Sequence, residues 1–359
     1  MKKRSKILAS LVLAGTMVLG LAGCGDSGSA NGGTQSGKNS DAKYHVGICQ
    51  LVQHEALDAA TQGFKDAITE ELGDKVTFDE QNAQGDSNTC STIITDFVSD
   101  NVDLILANAT PALQAAAAGT ADIPILGTSV TEYGVALDLD DFDGTVGNNI
   151  SGTSDLAPLE DQAAMLNELF PDAKNVGLVY CSAEANSQYQ VDTVKAALEK
   201  LGYTCEYYAF SDSNDLSSVA TTAATESDVI YLPTDNTVAS NTEIINNICL
   251  PEKVPVIAGE EGICEGCGVA TLSISYYDLG VATGKMALKV LVDGEDISKM
   301  PIEYAPQFTK EYNPEICKEL GIEVPDDYVA IGADAEEATS EDDADAADDT
   351  AEKTTEETE

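Results

Sequence analysis

The apolar runs His45-Val-Gly-Ile-Cys-Gln50 and Asn175-Val-Gly-Leu-Val-Tyr180 open two segments of similar design, 44–127 and 175–259. In each segment, apolar runs typical of strands alternate with patterns typical of helices, and the glycines Gly47 and Gly177 lie 130 residues apart. This alternation predicts an α/β fold of two Rossmann-like domains, each a parallel sheet covered by helices. Because ligands of such sheets bind beyond the carboxyl ends of the strands, two facing domains predict a cleft.

The two domains are expected to be joined by three crossings of the chain. The linking segment 142–154 is rich in glycine, segment 268–274 resembles a strand, and segment 301–308 is predicted to be extended. The expected lobes comprise residues 43–152 with 276–303, and residues 153–275 with 304–332. Three such crossings form a hinge on which two lobes can open and close.

Local signals also predict where individual helices begin. Thr110-Pro111 predicts a helix with Thr110 as N-cap, and Ser187-Gln-Tyr-Gln190 fits a capping box. Further helices are predicted over 155–170 and 277–292 from their apolar spacing.

The amino terminus has the pattern of an export signal, residues 1–23. Basic residues precede an apolar run over 7–21, which is shorter than the ~20 residues that a membrane-spanning helix needs. The ending Leu21-Ala-Gly-Cys24 resembles a bacterial lipobox. Cys24 is therefore expected to be lipidated, to become the first mature residue and to anchor the protein to the membrane outside the cytoplasm.

Two further segments are predicted to lie outside the folded part. Residues 24–42 are rich in glycine and serine and indicate a flexible tether. Residues 333–359 carry 13 acidic side chains against one lysine and almost no large apolar ones. Such a composition cannot bury a core, so a disordered acidic tail is expected.

The net charge of −45 argues against a nucleic-acid partner, because phosphate backbones are bound by clustered Lys and Arg. No Ser-His-Asp, metal-ligand or phosphate-loop pattern emerges, so we expect neither an enzyme nor a cofactor or metal site. We expect the protein to be a monomer.

Eight cysteines follow Cys24, and an even number in an exported protein is compatible with disulfides. Cys264-Glu-Gly-Cys267 is a lone C-x-x-C whose neighbouring glycines suggest a loop. A local disulfide, free thiols, and a redox or metal site all remain open from the sequence.

Polar side chains follow the predicted strands of both units and form the candidate ligand site. They are Gln50, His54, Thr110 and Ser129 in the first unit, and Tyr180, Glu184, Asn186, Ser187, Asp235, Asn236 and Glu260 in the second. Helix N-termini attract anions and carboxylates attract cations, so a zwitterion such as an amino acid matches both. Asp235, supported by Glu184, is the first candidate for the ammonium group, although each polar residue could instead cap a helix or turn. The chain has no Trp, so Tyr133, Tyr180 and Tyr276 are the aromatic candidates for stacking.

Over residues 44–331 the chain resembles the substrate-binding lipoproteins of ABC importers of the tryptophan/tyrosine type, which have the type I periplasmic binding protein fold. The motifs that carry the resemblance are His54-Glu-Ala-Leu-Asp58, Gln81-Asn-Ala-Gln-Gly-Asp86, Ala109-Thr-Pro-Ala112, Asn149-Ile-Ser-Gly-Thr-Ser-Asp155, residues 180–187, Asp235-Asn-Thr237 and Tyr276-Tyr-Asp-Leu-Gly280. One departure is Thr131-Glu-Tyr133, where many members have Thr-Asp-Pro.

The resemblance implies that the protein captures an amino acid, an aromatic one being favoured, by hinge closure. It also implies delivery of the ligand to a membrane permease with its ATPase. Two alternatives stay open from the sequence: capture of another small solute such as a sugar or a branched-chain amino acid, and a role as a surface adhesin or sensor subunit. A thiol–disulfide enzyme using Cys264 and Cys267 is a third class.

Overall fold

The computed structural model describes residues 42–305 and 307–332, and the predicted signal, most of the tether and the acidic tail lie outside them. In chain order, the first lobe contains β1 (Tyr44–Gln50), α1 (Glu55–Leu72), β2 (Val76–Asn82), α2 (Ser87–Asp100), β3 (Leu104–Asn108), α3 (Thr110–Gly119), β4 (Ile125–Val130), α4 (Tyr133–Ala136) and β5 (Ile150–Ser154).

The second lobe follows with α5 (Leu159–Leu169), β6 (Asn175–Cys181), α6 (Ala185–Leu201), β7 (Thr204–Phe210), α7 (Ser213–Glu226), β8 (Val229–Leu232), α8 (Asn236–Ala239), α9 (Thr242–Glu252), β9 (Val256–Ala258), α10 (Glu261–Cys267) and β10 (Ala270–Ser273). The chain then forms α11 (Tyr276–Leu288), β11 (Glu303–Tyr304), β12 (Thr309–Tyr312), α12 (Pro314–Leu320) and β13 (Val329–Ala330).

Each lobe is built on one sheet. The first sheet has the order β11-β5-β4-β3-β1-β2 and is parallel throughout. The second has the order β13-β12-β10-β9-β8-β6-β7, in which the β10–β12 pair is antiparallel. The chain passes between the two sheets after β5, after β10 and after β11. The predicted α/β fold of two lobes with three crossings is confirmed, and the first sheet extends to Ser154 and includes Tyr304.

Apolar layers on both faces explain why the central strands β3 and β4 are buried throughout. In β1, Val46 and Ile48 pack with Phe64 of α1 and Met286 of α11, whereas Cys49 belongs to the cluster on the side of α2 and α3. A parallel sheet covered by helices on both faces needs apolar residues on both sides of its strands. The second sheet likewise separates two apolar clusters.

Two predicted helix starts lie elsewhere in the structure. Ala109 precedes α3 with φ 94°, and Thr110 is the first helical residue rather than the N-cap. α5 begins at Leu159 instead of Asp155. The residues before Pro158 are kept extended because the proline ring disfavours helical backbone at the preceding position.

Two other helices also differ from their predicted starts. α6 begins at Ala185 after Glu184, so Ser187–Gln190 lies within the helix and is not a capping box. α11 begins one residue before its predicted start, at Tyr276, because the Ser275 side chain accepts a hydrogen bond from the third backbone N–H of the helix.

Within the described residues, none of the helices combines the length and the apolar composition needed to cross a membrane.

The closest helix pair in the first lobe is α1 with α11, and glycines make the approach possible. A Cβ added at Gly280 would collide with the backbone carbonyl of Ala60 in α1. A Cβ added at Gly63 of α1 would likewise collide with the carbonyl of Tyr277 in α11. Both clashes involve backbone atoms, which cannot move aside as a flexible side chain does.

We predict that Gly280→Ala lowers the free energy of unfolding by roughly 1–2 kcal/mol, because the overpacking cost exceeds the ~1 kcal/mol gain in helix propensity. Urea denaturation of the variant measures this change. Lys285→Ala, on the exposed side of the same helix, is the matched control and should unfold like the wild type. A Gly280→Ala protein as stable as the wild type would show that α1 and α11 are not packed this closely.

Candidate functional site

The candidate site is a cavity between the two lobes, at the carboxyl ends of the strands of both sheets. Its walls leave about 280 Å³ free when crevices open to solvent are included, and the enclosed part has room for about one water molecule. A ligand of amino-acid size therefore requires the walls to move apart before it can enter.

Six residues of the predicted site line this cavity. They are His54 and Ser129 from the first lobe, and Asn186, Asp235, Asn236 and Glu260 from the second. All come from strand ends or helix starts. The structure thus brings together polar side chains that are up to 206 residues apart in the sequence.

Five predicted residues lie elsewhere: Gln50, Thr110, Tyr180, Glu184 and Ser187 do not line the cavity. Gln50 is buried within the first lobe, where its amide donates to Asp58 (2.6 Å) and accepts from Thr61 (2.7 Å). The Tyr180 hydroxyl donates to Gln188, outside the cavity. These polar groups are already paired by the protein.

Thr110 and Ser187 are both buried within helices, α3 and α6 respectively. Of the other aromatic candidates, Tyr133 is buried in the first lobe and donates to the carbonyl of Thr153, whereas Tyr276 does line the cavity.

Three polar lining residues were not predicted as ligand-binding positions: Thr131, Asp155 and Thr234. Asp155 was part of the motif 149–155 but was read as the first residue of a helix. The sequence did contain a signal against that reading, because Pro158 keeps the preceding backbone out of the helix.

Three buried polar atoms of the lining residues have no hydrogen-bond partner: Ser129 Oγ, Asp155 Oδ1 and Asn186 Oδ1. The other Asp155 oxygen accepts from the Tyr276 hydroxyl (3.0 Å), and the Asn186 amide nitrogen donates to the carbonyl of Thr234 (3.0 Å). Buried polar groups are normally paired, so these free atoms are available to a ligand. Ser129 also has φ 54°, a strained conformation of the kind found at binding sites.

The carboxylates Asp235 and Glu260 line the cavity but already serve as helix caps. Asp235 accepts from the backbone N–H of Cys181 (2.7 Å) and of Val238 (2.9 Å), one to each oxygen. Glu260 caps α10 in the same way through Gly262 and Ile263. Asp235 and Glu260 therefore have fewer oxygen lone pairs left for a ligand than Asp155 has.

The electrostatics of the cavity favour a cation, since no Lys or Arg lines it. Burial raises the pKa of Asp155 to about 6 and that of Glu260 to about 7. Burial and the neighbouring Glu184 also raise the pKa of Asp235. A positive ligand group placed near these carboxylates would offset the cost of their charged forms.

His54 occupies the N-cap position of α1 without a side-chain cap hydrogen bond. Its Nε2 lies 3.2 Å from Oδ1 of Asn236, which belongs to the other lobe. Burial lowers the pKa of His54, against opposing effects of the Asn236 hydrogen bond and of the carboxylates Glu184 and Asp58. The neutral imidazole is therefore the form favoured here.

Glu184 lies behind the cavity wall and binds the start of α8. One carboxylate oxygen accepts from the backbone and the side-chain amide of Asn236 (3.1 and 2.7 Å). The other accepts from the backbone and the hydroxyl of Thr237 (3.0 and 2.8 Å). Glu184 therefore orients α8 and does not itself line the cavity.

The eight cysteines of the described residues are all buried free thiols. Cys264 and Cys267 lie in α10, so the loop predicted for them was wrong; the Glu260 cap allows this short helix to form despite its glycines. Burial raises the pKa of both thiols well above the ordinary value, which disfavours the reactive thiolate. Residues 42–305 and 307–332 hold no group of three or more His, Cys, Asp or Glu side chains arranged for a metal ion.

Comparisons with known proteins identify relatives over most of the chain. The profile of a family described as ABC transporter substrate binding protein matches residues 45–336. A tyrosine-binding protein of Clostridioides difficile is 34% identical over 328 residues, which cover 89% of this chain and 94% of the relative.

Two solved structures are also similar. An ABC domain from Streptococcus pneumoniae in complex with L-Trp is 33% identical with a TM-score of 0.76, covering 79% of this chain and 97% of that one. A ligand-free, open substrate-binding protein with adhesive properties from Clostridium difficile is 39% identical with a TM-score of 0.62, covering 80% and 99%.

The raised pKa of Glu260 predicts a pH dependence of stability. Because the folded-state pKa is raised from 4.5 to about 7, the contribution of this group is fully present below about pH 4.5 and is lost as the pH rises through 7, by roughly 3 kcal/mol. Glu260→Gln should therefore lose less stability than the wild type between pH 5 and pH 8 in urea denaturation.

The control for this prediction is Glu206→Gln, a substitution at an exposed position of β7, which should follow the wild-type pH profile. The loss of one cap hydrogen bond in Glu260→Gln shifts its stability equally at every pH, so the informative quantity is the slope of the unfolding free energy against pH. Equal slopes for wild type and Glu260→Gln would show that the pKa of Glu260 is not raised in the folded protein.

Proposed function

We propose that this chain, which belongs to the family of ABC transporter substrate-binding proteins, captures an amino acid in the cleft between its lobes and delivers it to an ABC importer. An aromatic amino acid (tyrosine, tryptophan or phenylalanine) is the favoured ligand. The α/β fold with two sheets and three crossings is that of the type I periplasmic binding proteins.

The observation that carries the proposal is the set of unpartnered buried atoms in the cavity. Asp155 Oδ1 and Asn186 Oδ1 are both acceptors without a donor, and an ammonium group supplies three N–H donors and a positive charge. Asp235, the first candidate from the sequence, has a backbone donor on each oxygen. We therefore assign the ammonium group to Asp155 and Asn186, and Asp235 remains part of the cavity lining.

The ligand carboxylate has a matching place in the first lobe. Ser129 Oγ can donate a hydrogen bond. α1 begins at the cavity wall, and no side chain caps the backbone N–H groups of its first turn. Ala56 and Leu57, in the first turn of that helix, line the cavity. An N-terminus of this kind binds carboxylates through its N–H groups and the helix dipole.

An aromatic side chain is favoured by the remaining walls and by the relatives. Tyr276, Leu57 and Ala239 form apolar parts of the lining, and an aromatic ring packs well against them. The named relative of Clostridioides difficile binds tyrosine according to its name, and the streptococcal structure contains L-Trp. A sugar is less well matched, since Tyr276 is the single Tyr, Phe or Trp among the lining residues.

Capture by hinge closure is supported by the two solved relatives. This chain fits the L-Trp complex better (TM-score 0.76) than the open, ligand-free protein (0.62), although it is more identical to the latter (39% against 33%). The arrangement of the two lobes is therefore closer to that of the ligand-bound relative, and sequence identity does not explain this preference. The narrow cavity and the contact between His54 and Asn236 are consistent with a closed arrangement.

Export and anchoring remain part of the proposal on the grounds of sequence alone. The signal pattern and Cys24 lie outside the described residues. A lipid on Cys24 would hold the protein on the outer face of the cell membrane, next to a permease and its ATPase.

A second candidate function is adhesion to a surface. It is favoured by one observation, the adhesive properties stated for the 39% identical protein of Clostridium difficile. Deleting the gene separates the two: loss of amino-acid uptake supports transport, whereas lost adhesion with intact uptake supports the adhesin.

The experiment that tests the proposal is a thermal-stability screen of the purified chain with the amino acids and a panel of sugars. A ligand at 100 times its dissociation constant adds about 2.7 kcal/mol to the folded state. We expect tyrosine, tryptophan or phenylalanine to raise the melting temperature. A rise with sugars alone would overturn the amino-acid assignment.

We predict that Asp155→Asn weakens binding of the aromatic amino acid about 100-fold, because a buried ammonium loses its charged partner, worth about 1.5–3 kcal/mol. Calorimetric titration at pH 7.5 measures the dissociation constant. Asp161→Asn, an exposed position in α5, is the control and should bind like the wild type. Unchanged affinity of Asp155→Asn, together with a large loss of affinity in Asp235→Asn, would show that Asp235 binds the ammonium group instead.

A further inference from the structure

A side-chain hydrogen bond at the edge of the cavity is among the contacts that join the two lobes. His54, which precedes α1 in the first lobe, lies 3.2 Å from Asn236, which begins α8 in the second. We propose that His54 and Asn236 form a latch across the cleft, that Glu184 is its positioning residue, and that the latch sets the lifetime of the closed state. This inference rests on the proposed function in that it assumes capture by lobe closure.

The orientation of the Asn236 amide follows from Glu184. A carboxylate only accepts hydrogen bonds, so the amide nitrogen of Asn236 must face Glu184, 2.7 Å away. The amide oxygen is then turned toward His54. An amide flip would place the oxygen of Asn236 against the carboxylate of Glu184, where both groups are acceptors.

The same geometry determines the proton position on His54. Because the Asn236 oxygen is an acceptor, His54 must donate from Nε2. Burial favours the neutral imidazole, which meets this requirement as the Nε2–H tautomer. The latch is thus a hydrogen bond between two neutral groups, with its direction set by a carboxylate behind it.

Glu184 holds α8 at four points, through the backbone and side chains of Asn236 and Thr237. It does not line the cavity. Its influence on a ligand must therefore pass through the position of α8 and the Asn236 amide, which makes it a positioning residue and not a ligand contact.

The His54–Asn236 bond acts on closure because its partners belong to different lobes. When the lobes separate, both groups are solvated and the bond is lost, so it favours the closed state alone. A hydrogen bond between neutral groups changes an equilibrium or a rate by roughly two- to tenfold. That is the expected size of the effect on the open–closed equilibrium and on ligand release.

The chain offers a background-free reporter of closure, because it contains no Trp. Gln53 is exposed and lies at the mouth of the cleft, in a surface pocket that it shares with Ser240 and Thr242 of the second lobe. In the full chain carrying Gln53→Trp, closure buries the indole and shifts its emission to shorter wavelength. The ligand-free emission measures closure without any assumption about the ligand.

The test compares three substitutions in the Gln53→Trp background. His54→Ala removes the donor, and since His54 makes no side-chain cap bond to α1, the melting temperature should stay close to the parent. We expect a red-shifted ligand-free emission and release of L-tyrosine about 3- to 10-fold faster in stopped flow. His54→Gln retains an N–H donor and should restore much of both signals. Thr222→Ala, an exposed position whose hydroxyl bonds within its own helix α7, should change neither.

The role of Glu184 is tested by a double-mutant cycle. Glu184→Gln frees the Asn236 amide to turn, so alone it should also red-shift the emission, and combined with His54→Ala it should add little further. Additive effects, or a normal emission in His54→Ala and in Glu184→Gln, would overturn the latch. If L-tyrosine does not bind at all while the ligand-free emission responds as expected, the latch stands and the ligand assignment fails.

Discussion

The pairing of polar groups at the ends of parallel strands is the constraint on which the site depends. Parallel sheets bring helix N-termini to one edge of each lobe, and the free N–H groups there must find acceptors. In the second lobe, Asp235 caps α8 and Glu260 caps α10, and Glu184 binds α8 from behind. Acidic residues used in this way occupy the lining of the cleft, which contains no Lys or Arg.

Because carboxylates serve as helix caps, only some polar groups of the lining are left to bind a ligand. Once the caps are satisfied, the unpaired atoms of the lining are Asp155 Oδ1, Asn186 Oδ1 and Ser129 Oγ. Two acceptors beside a buried negative charge select a cationic donor, and a hydroxyl near an uncapped helix start selects an anion. An amino acid, the proposed ligand, carries one charge of each sign on its backbone.

The sequence predicted the architecture well because periodicity and repetition are properties of single segments. The two sheets, the three crossings and the meeting of His54 with Asn236 near one cleft all follow from strand ends that face each other. The roles of individual residues were harder to predict. Asp235 and Asp155 both follow strands, and only their contacts show that Asp235 is occupied by backbone donors while Asp155 retains a free oxygen.

Glu184, which was predicted as part of the ligand site, shows the same difficulty. Its position after β6 suggested a ligand contact, but the start of α8, 52 residues further along, lies within its reach and uses both of its oxygens. Such long-range pairing is not visible in a single sequence. The proposed positions of the ammonium group and of the latch can be seen together in a crystal structure of the protein with L-tyrosine. We expect the ligand nitrogen within hydrogen-bond distance of Asp155 Oδ1 and Asn186 Oδ1, with His54 bonded to Asn236. A ligand nitrogen bound to Asp235 instead, or a ligand outside the cleft, would contradict the proposed binding mode.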